Sequence, residues 1–256
     1  MKKVMLFALA ILLNVAGAKA QKVEEYGIFD HLGVGVSVGT TGIGFDLAAP
    51  VTDYLQLRAG YSFMPKIAYS TEVDIDAGAT SMINDEVEVE GKLNISNFKF
   101  LVDVYPFKAS KSGFHVTVGA FIGSDKLISV YNTKPFLTDP SDWGKVGIKL
   151  GDYRITSDEK GNVQADLKVN AFKPYLGIGF GRAIPKSRVS VAFDMGVQFW
   201  GTPGVYTRTV DDFGDVSYGK LTKNDIGNDD ADQFFDILEK ISVYPVIKLR
   251  ISGRIF

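Results

Sequence analysis

The stretch "YLQLRAGYSF", Tyr54 to Phe63, decides the fold. Leu55, Leu57, Ala59, Tyr61 and Phe63 fall on one side of an extended chain, and Gln56, Arg58, Gly60 and Ser62 on the other. A period of two is the signature of a half-buried β-strand. Which face is outside is the question that matters. In a soluble sheet the apolar face meets a core; in a membrane barrel it meets lipid and the polar face lines a narrow interior.

Seven further stretches carry the same alternation. "LGVGVSVG" sets Leu32, Val34, Val36 and Val38 against glycines and Ser37. Ile43, Phe45, Leu47 and Ala49 oppose Gly42, Gly44, Asp46 and Ala48. Phe98, Phe100, Val102 and Val104 oppose Asn97, Lys99 and Asp103, with Leu101 breaking the rule on the polar side. Phe114 to Ile122 opposes His115, Thr117 and Gly119, and "PYLGIGFG" places Leu176, Ile178 and Phe180 against glycines. Val189 to Phe199 and Val243 to Ile255 complete the set. Water-facing sheet surfaces carry Lys, Glu and Thr; alternate glycines and serines suit a crowded concave interior instead. The inverted reading follows: an all-β, antiparallel, up-and-down transmembrane barrel of eight strands, with ten as the alternative.

By phase, Tyr61, Phe63, Phe98, Phe100, Val118, Ile178, Phe193, Val197, Leu249 and Ile251 face lipid. Asp46, Arg58, Lys99, Asp103, Asp194, Lys248 and Arg250 face the lumen, where buried charges must pair. Asp46 and Arg58, on strands joined by a short turn, are the first expected pair, and Asp103 and Lys99 share one strand face.

The ends and connections set the orientation. "MKKVMLFALAILLNVAGAKA" has a lysine pair, a short apolar run and a small-x-small ending, the pattern of a signal peptide over residues 1–20 cleaved before Gln21. Residues 21–256 then form a single barrel domain with both mature termini in the periplasm. The chain has no cysteine, so no disulfide or thiolate chemistry is available, and a net charge of −2 gives no reason to expect nucleic acid. Long connections (about 66–91, 124–170 and 201–240) alternate with short ones, the asymmetry of extracellular loops against periplasmic turns. Within the second, "DEKGN" reads as a hairpin turn in a protrusion above the lipid.

The ordered blocks "RAGYSF", "VDVYPF", "FHVTVGAFIGSDKL", "NAFKPYLGIGFGRA", "SVAFDMGVQFWGTPGV" and "VYPVIKLRISGRIF" resemble a largely uncharacterised family of small Gram-negative outer-membrane barrel proteins. At fold level the chain is similar to the eight-stranded OmpA, OmpX and OmpW class. The resemblance implies the cell outer membrane, surrounding lipid and lipopolysaccharide, assembly by the barrel-assembly machinery through the C-terminal strand, and a monomer. Members of that class end on an aromatic in phase with the lipid-facing series; here Ile255 is in phase and Phe256 is not.

Chemistry-bearing motifs are few. His31 and His115 both begin strands at the periplasmic end, on opposite sides of an eight-stranded ring, which argues against a Ser–His triad or a zinc site. Asn228, Asp230, Asp232 and Glu239 stand at positions one, three, five and twelve of a calcium-loop spacing, but Gln233 occupies the position that demands glycine. A short capped helix before Ile241 is the simpler account, so no metal and no cofactor is expected. Trp200 fits the aromatic rim of the bilayer, and Trp143 falls in a loop. The expected role is structural or surface interaction around a charge-filled lumen. A narrow channel for small or hydrophobic solutes is the alternative, and a lipid-modifying enzyme a third.

Overall fold

The protein is described by a computed structural model over residues 25–255, except 66–67, 75–85, 133–138, 140–146, 151–152, 157–161, 211–215, 223–235, 237 and 239. The signal-peptide segment, Trp143, Phe256 and the four calcium-loop positions Asn228, Asp230, Asp232 and Glu239 lie outside the described residues.

In chain order the strands are β1 (Gly33–Gly39), β2 (Gly42–Thr52), β3 (Leu55–Phe63), β4 (Ala68–Asp74), β5 (Glu86–Leu93), β6 (Ser96–Val104), β7 (Phe114–Gly123) and β8 (Lys126–Asn132). They continue as β9 (Gly147–Leu150), β10 (Tyr153–Thr156), β11 (Gln164–Lys168), β12 (Phe172–Phe180), β13 (Val189–Phe199), β14 (Gly204–Val210), β15 (Val216–Lys220) and β16 (Val243–Arg254). Eight of them close a barrel in the order β1-β16-β13-β12-β7-β6-β3-β2. They are the eight stretches that alternate in the sequence, so the ten-strand alternative falls away.

The faces are inverted relative to a soluble barrel. Phe98 and Phe100 are 58% and 56% exposed, and Ile178 and Leu249 47% and 48%, whereas Lys99, Asp103 and Arg250 are at most 1% exposed. Tyr61, Val118, Phe193 and Ile251 are likewise exposed, and Phe63 and Val197 are half-buried on the same outward face. Closure leaves the wall without a sheet edge, the condition for strands to cross a bilayer.

Aromatic residues collect at two levels of this outer surface. Tyr61, Phe63 and Phe98 pack on one another, with Phe172 and Phe199 on neighbouring strands; Phe107 packs on Phe114 at the other end, beside Phe180. From Phe172 to Phe180 is about 27 Å along the strand, or about 20 Å of height at ordinary tilt, close to a bilayer's apolar band. Trp200 does not join the girdle. It is buried, stacks on Tyr244 at 4.3 Å between centroids and donates through Nε1 to Gln198 at 2.9 Å. It follows Phe199, which faces out, so alternation turns it inward.

One rim carries the first and last described residues, Glu25 and Ile255, and the short turns β2–β3, β6–β7 and β12–β13; the other carries the tight Thr40–Thr41 turn and three long excursions. Gly42 closes that tight turn at φ +85°, where a side chain would strike the Phe63 carbonyl. The excursions build a second antiparallel sheet, β4-β5-β8-β11-β14-β10-β9, with β15 paired to β14. The order β4-β5-β8-β11-β14 repeats that of β3-β6-β7-β12-β13 below it, so five barrel strands run on past the rim as one wall. β15 continues the sheet on the side of β14 away from β11. Four of the five "DEKGN" residues, 158–161, lie outside the described residues; of the flanking strands, β10 pairs with β9 and β14, and β11 with β14 and β8. The alternation in that segment marks strands of the outer sheet. Asp236, Leu238 and Lys240 are helical, and Leu238 packs with Leu221, Leu167 and Val205.

Candidate functional site: the barrel lumen

The lumen is filled in layers, each traceable to inward positions of the strands. The central layer is ionic. Arg58 on β3 donates from Nη2 to Asp103 on β6 at 2.6 Å and from Nη1 to Asp194 on β13 at 3.2 Å, so one guanidinium spans the interior. Thr117 donates to Asp103 at 2.8 Å. His115 lies 2.9 Å from Asp194 through Nε2 and holds the Gly113 carbonyl at 3.0 Å through Nδ1. Arg250 on β16 approaches Asp194 at 3.6 Å.

The expected Asp46–Arg58 pair is replaced by Asp46–Lys99, at 2.9 Å. Pairing register explains the exchange. Asp46 faces Gly60, and Gly60 faces Lys99, so the lysine reaches over a residue with no side chain. A methyl group at Gly60 would come within 2.8 Å of both Asp46 Oδ1 and Lys99 Cε. Arg58 stands opposite Ala48 and Leu101, with no acid beside it, and turns across the lumen. Asp103 thus pairs with Arg58 and not with Lys99 on its own strand.

All seven charges expected inside are buried: Asp46, Arg58, Lys99, Asp103, Asp194, Lys248 and Arg250. Glycines make the room. A methyl at Gly44 would lie 2.8 Å from Lys99 Nζ, and one at Gly179 would fall on His115 and within 2.5 Å of Asp194 Oδ1. The glycine faces of β2, β3 and β12 are the space occupied by long side chains from other strands.

Toward the loop rim lies an apolar layer of Leu101, Phe121, Tyr175 and Val246, with Tyr244 packed against it. Leu101, the residue out of pattern, is 2% exposed inside this layer. Lys248 stands beneath it, with Nζ 5.3 Å from the Phe121 centroid and 5.4 Å from that of Tyr175. Beyond it Lys173 donates to Asn97 at 3.0 Å and to the Ser124 carbonyl at 2.9 Å.

At the other rim the turn after β12 folds into the mouth. Ile184 is fully buried among Tyr26, Ala48, Tyr105, Ala109 and Ala183. Gln56 Oε1 accepts from Tyr105 Oη at 3.2 Å and from the Ile184 amide at 3.3 Å, and Tyr26 donates to the Ile184 carbonyl at 2.7 Å.

Sequence reasoning missed this cap and the aromatic layer, and it placed His115 among rim residues and not in the ionic layer. Their signals were the inward phase of Gln56, His115, Thr117 and Phe121. His31 pairs with its neighbour Asp30, at 2.7 Å, and meets the Tyr26 ring edge-on at 5.8 Å between centroids. Among the described residues no group of three acidic or histidine side chains is placed to hold a metal ion.

A closed antiparallel barrel of eight strands, apolar outside and ionic within, is a small barrel of the outer-membrane type. The chain is similar to the crystal structures of two Acinetobacter baumannii proteins. CarO2 aligns at a TM-score of 0.47 and 20% identity, over 91% of this chain and 100% of that one. CarO aligns at 0.46 and 18%, over 89% and 99%. No protein-family model and no curated protein sequence matches the chain.

Proposed function

We propose that the protein is an integral outer-membrane barrel with a structural and surface-interaction role, whose lumen is sealed and serves as the rigid post for the sheet above it. The carrying observation is Arg58, which ties β3 to β6 and across the interior to β13 within 3.2 Å. Below and above it, the Ile184 cap and the Phe121–Tyr175 layer close the same path. The rim with Glu25 and Ile255 is the periplasmic one in this reading, and the sheet of β4 to β15 stands outside the cell. No catalytic role, metal or cofactor is assigned.

Acidic segments fit the outer position. From Asp211 to Glu239 there are nine acidic residues and two lysines, and from Glu72 to Glu90 seven acids. Surrounding lipid and lipopolysaccharide, assembly through β16 by the barrel-assembly machinery, and a monomeric state belong to the same proposal.

The test is planar-bilayer recording of the purified mature chain. Sealed bilayers at moderate voltage are expected. Steady single-channel currents from the wild type, with Arg58→Ala merely altering their size, would overturn the sealed-lumen reading in favour of a narrow channel.

A further inference from the structure

The outer face of the second sheet carries a belt that the sealed lumen does not explain. Pairing between β7 and β12 puts Phe172 opposite Ile122, both exposed to the outside; in the sheet above, a register shift between Leu167 and Lys168 brings Lys168 opposite Lys126. Both lysines are half-exposed and share one face of this sheet, four residues above the aromatic girdle. Asp166, opposite Ser129 and Tyr206, shares that face, as does Tyr218 beyond it; the other face, with Leu167 and Val205, packs on Leu221 and Leu238.

Here lysines lie over tyrosine rings. Lys168 Nζ is 4.8 Å from the Tyr206 centroid and 4.7 Å from that of Tyr218, and Lys126 is 5.9 Å from Tyr218. One strand pair further round, Lys92 lies 4.4 Å over Tyr131. Two acids share the belt: Glu90 is 3.5 Å from Lys92, and Asp166 is 2.7 Å from Lys126 and accepts from Tyr218.

Like charges directly opposite across a strand pair are unfavourable. Lys126 and Lys168 are such a pair, and Asp166 serves the first of them. Lys168 meets no carboxylate among the described residues and rests between two phenol rings. A group with several anionic oxygens, bridging both ammonium groups, removes the repulsion. Beside the belt, Tyr61, Phe63, Met64, Pro65, Leu93 and Ile95 line an open, apolar cleft of about 590 Å³ at the level of the girdle. Leu93 in its wall follows Lys92. Cation, phenol and cleft are thus stacked in the order headgroup, interface and hydrocarbon.

We propose that this belt is a binding site for a phosphorylated, acylated glycolipid of the outer leaflet: Lys126 and Lys168 take a phosphate, and the cleft beside Lys92 takes an acyl chain. The assignment rests on the membrane reading above.

The mature chain, refolded in detergent, is presented with bisphosphorylated lipid A, the same lipid dephosphorylated, and inorganic phosphate, and retained ligand is read by native mass spectrometry. The phosphorylated lipid is expected to bind at least tenfold better than the dephosphorylated one. Lys168→Gln should weaken it about fivefold, and the Lys126→Gln, Lys168→Gln double variant should approach the dephosphorylated level. Equal retention of both lipids, or an unchanged double variant that still folds to the wild-type barrel, overturns the site. Displacement by millimolar inorganic phosphate overturns the lipid as ligand. A wild type that enters phospholipid vesicles without selecting lipid A defeats only this site, whereas one that never enters vesicles defeats the membrane reading beneath it.

Discussion

Replacing Arg58 by alanine tests the lumen most directly. The side chain is 2% exposed and neutralises two carboxylates that are themselves at most 1% exposed. Its loss does not fall on them equally. Asp194 keeps His115 at 2.9 Å and Arg250 at 3.6 Å. Among the described partners Asp103 keeps only the Thr117 hydroxyl, at 2.8 Å. Breaking a buried pair from one side costs roughly 3–5 kcal/mol, because the charge left behind is uncompensated. Arg58→Ala should therefore destabilise by about that amount, with Asp103 the larger contributor. Asp103→Asn in the wild type should cost less, since Arg58 keeps Asp194 at 3.2 Å. Adding Asp103→Asn to Arg58→Ala should restore about 1–3 kcal/mol, the coupling expected of residues in one network. Reversible denaturant unfolding from lipid vesicles measures all four proteins. A loss below about 1 kcal/mol in Arg58→Ala, or no recovery in the double variant, would show that water already screens Asp103 and that the lumen is wet.

Lysine at Val118, Ile178, Val197 or Leu249, on the outward face, should cost about 2–4 kcal/mol in the same assay, and much less at exposed Thr202 above the rim; equal tolerance at both levels would mean the outer face does not meet lipid. Gly201 is not a neutral control, because its φ is +73° and a methyl there would lie 2.8 Å from Asn170 Cγ. Gly179→Ala should destabilise by about 1–3 kcal/mol by driving a methyl into His115 and Asp194; a wild-type unfolding midpoint would contradict the packing described. In the outer sheet, burial alone raises the Asp166 carboxyl, but hydrogen bonds from Lys126, Ser129, Tyr218 and Gln164 hold it at about 2. A depressed carboxylate stabilises the folded state above its unfolded value near 3.8 and loses that contribution as pH falls from there toward 2. An NMR titration of the Asp166 carboxyl should show this low midpoint, and Lys126→Gln should raise it; a wild-type midpoint at or above 3.8 would refute the arrangement.

The barrel was legible because its signal is local: a strand crossing lipid must alternate, and alternation is visible within one segment. Inwardness of the seven lumen charges followed from the same phase. Their partners did not, because partnership depends on which neighbouring position is empty. Gly60 is read in isolation as a small inward residue; only the register that places it between Asp46 and Lys99 makes it a passage. Trp200 misled for the opposite reason, since aromatic character at a rim suggested lipid while its phase after Phe199 pointed inward. Of the outer sheet only the alternating segment around "DEKGN" was read, as a protrusion above the lipid; the other strands are short, and their polar face is half of a sheet whose other half packs on Leu221 and Leu238.

The same geometry explains why so small a barrel can hold so many charges. Eight strands leave an interior just wide enough for side chains to fill. Ordinary residues on every inward position would overfill it, and small ones throughout would leave a cavity. This chain divides the wall: glycines at Gly44, Gly60 and Gly179 face long side chains such as Lys99 and His115 from adjoining strands. Each long chain then meets a fixed acid and not a rival side chain, and the filling becomes specific as well as dense. A sequence selected to conduct would gain from widening the glycine patches along one path. Here the patches are interrupted by Arg58 at one level and by Phe121 and Tyr175 at the next, and on the sealed-lumen proposal the space they create is consumed where it arises.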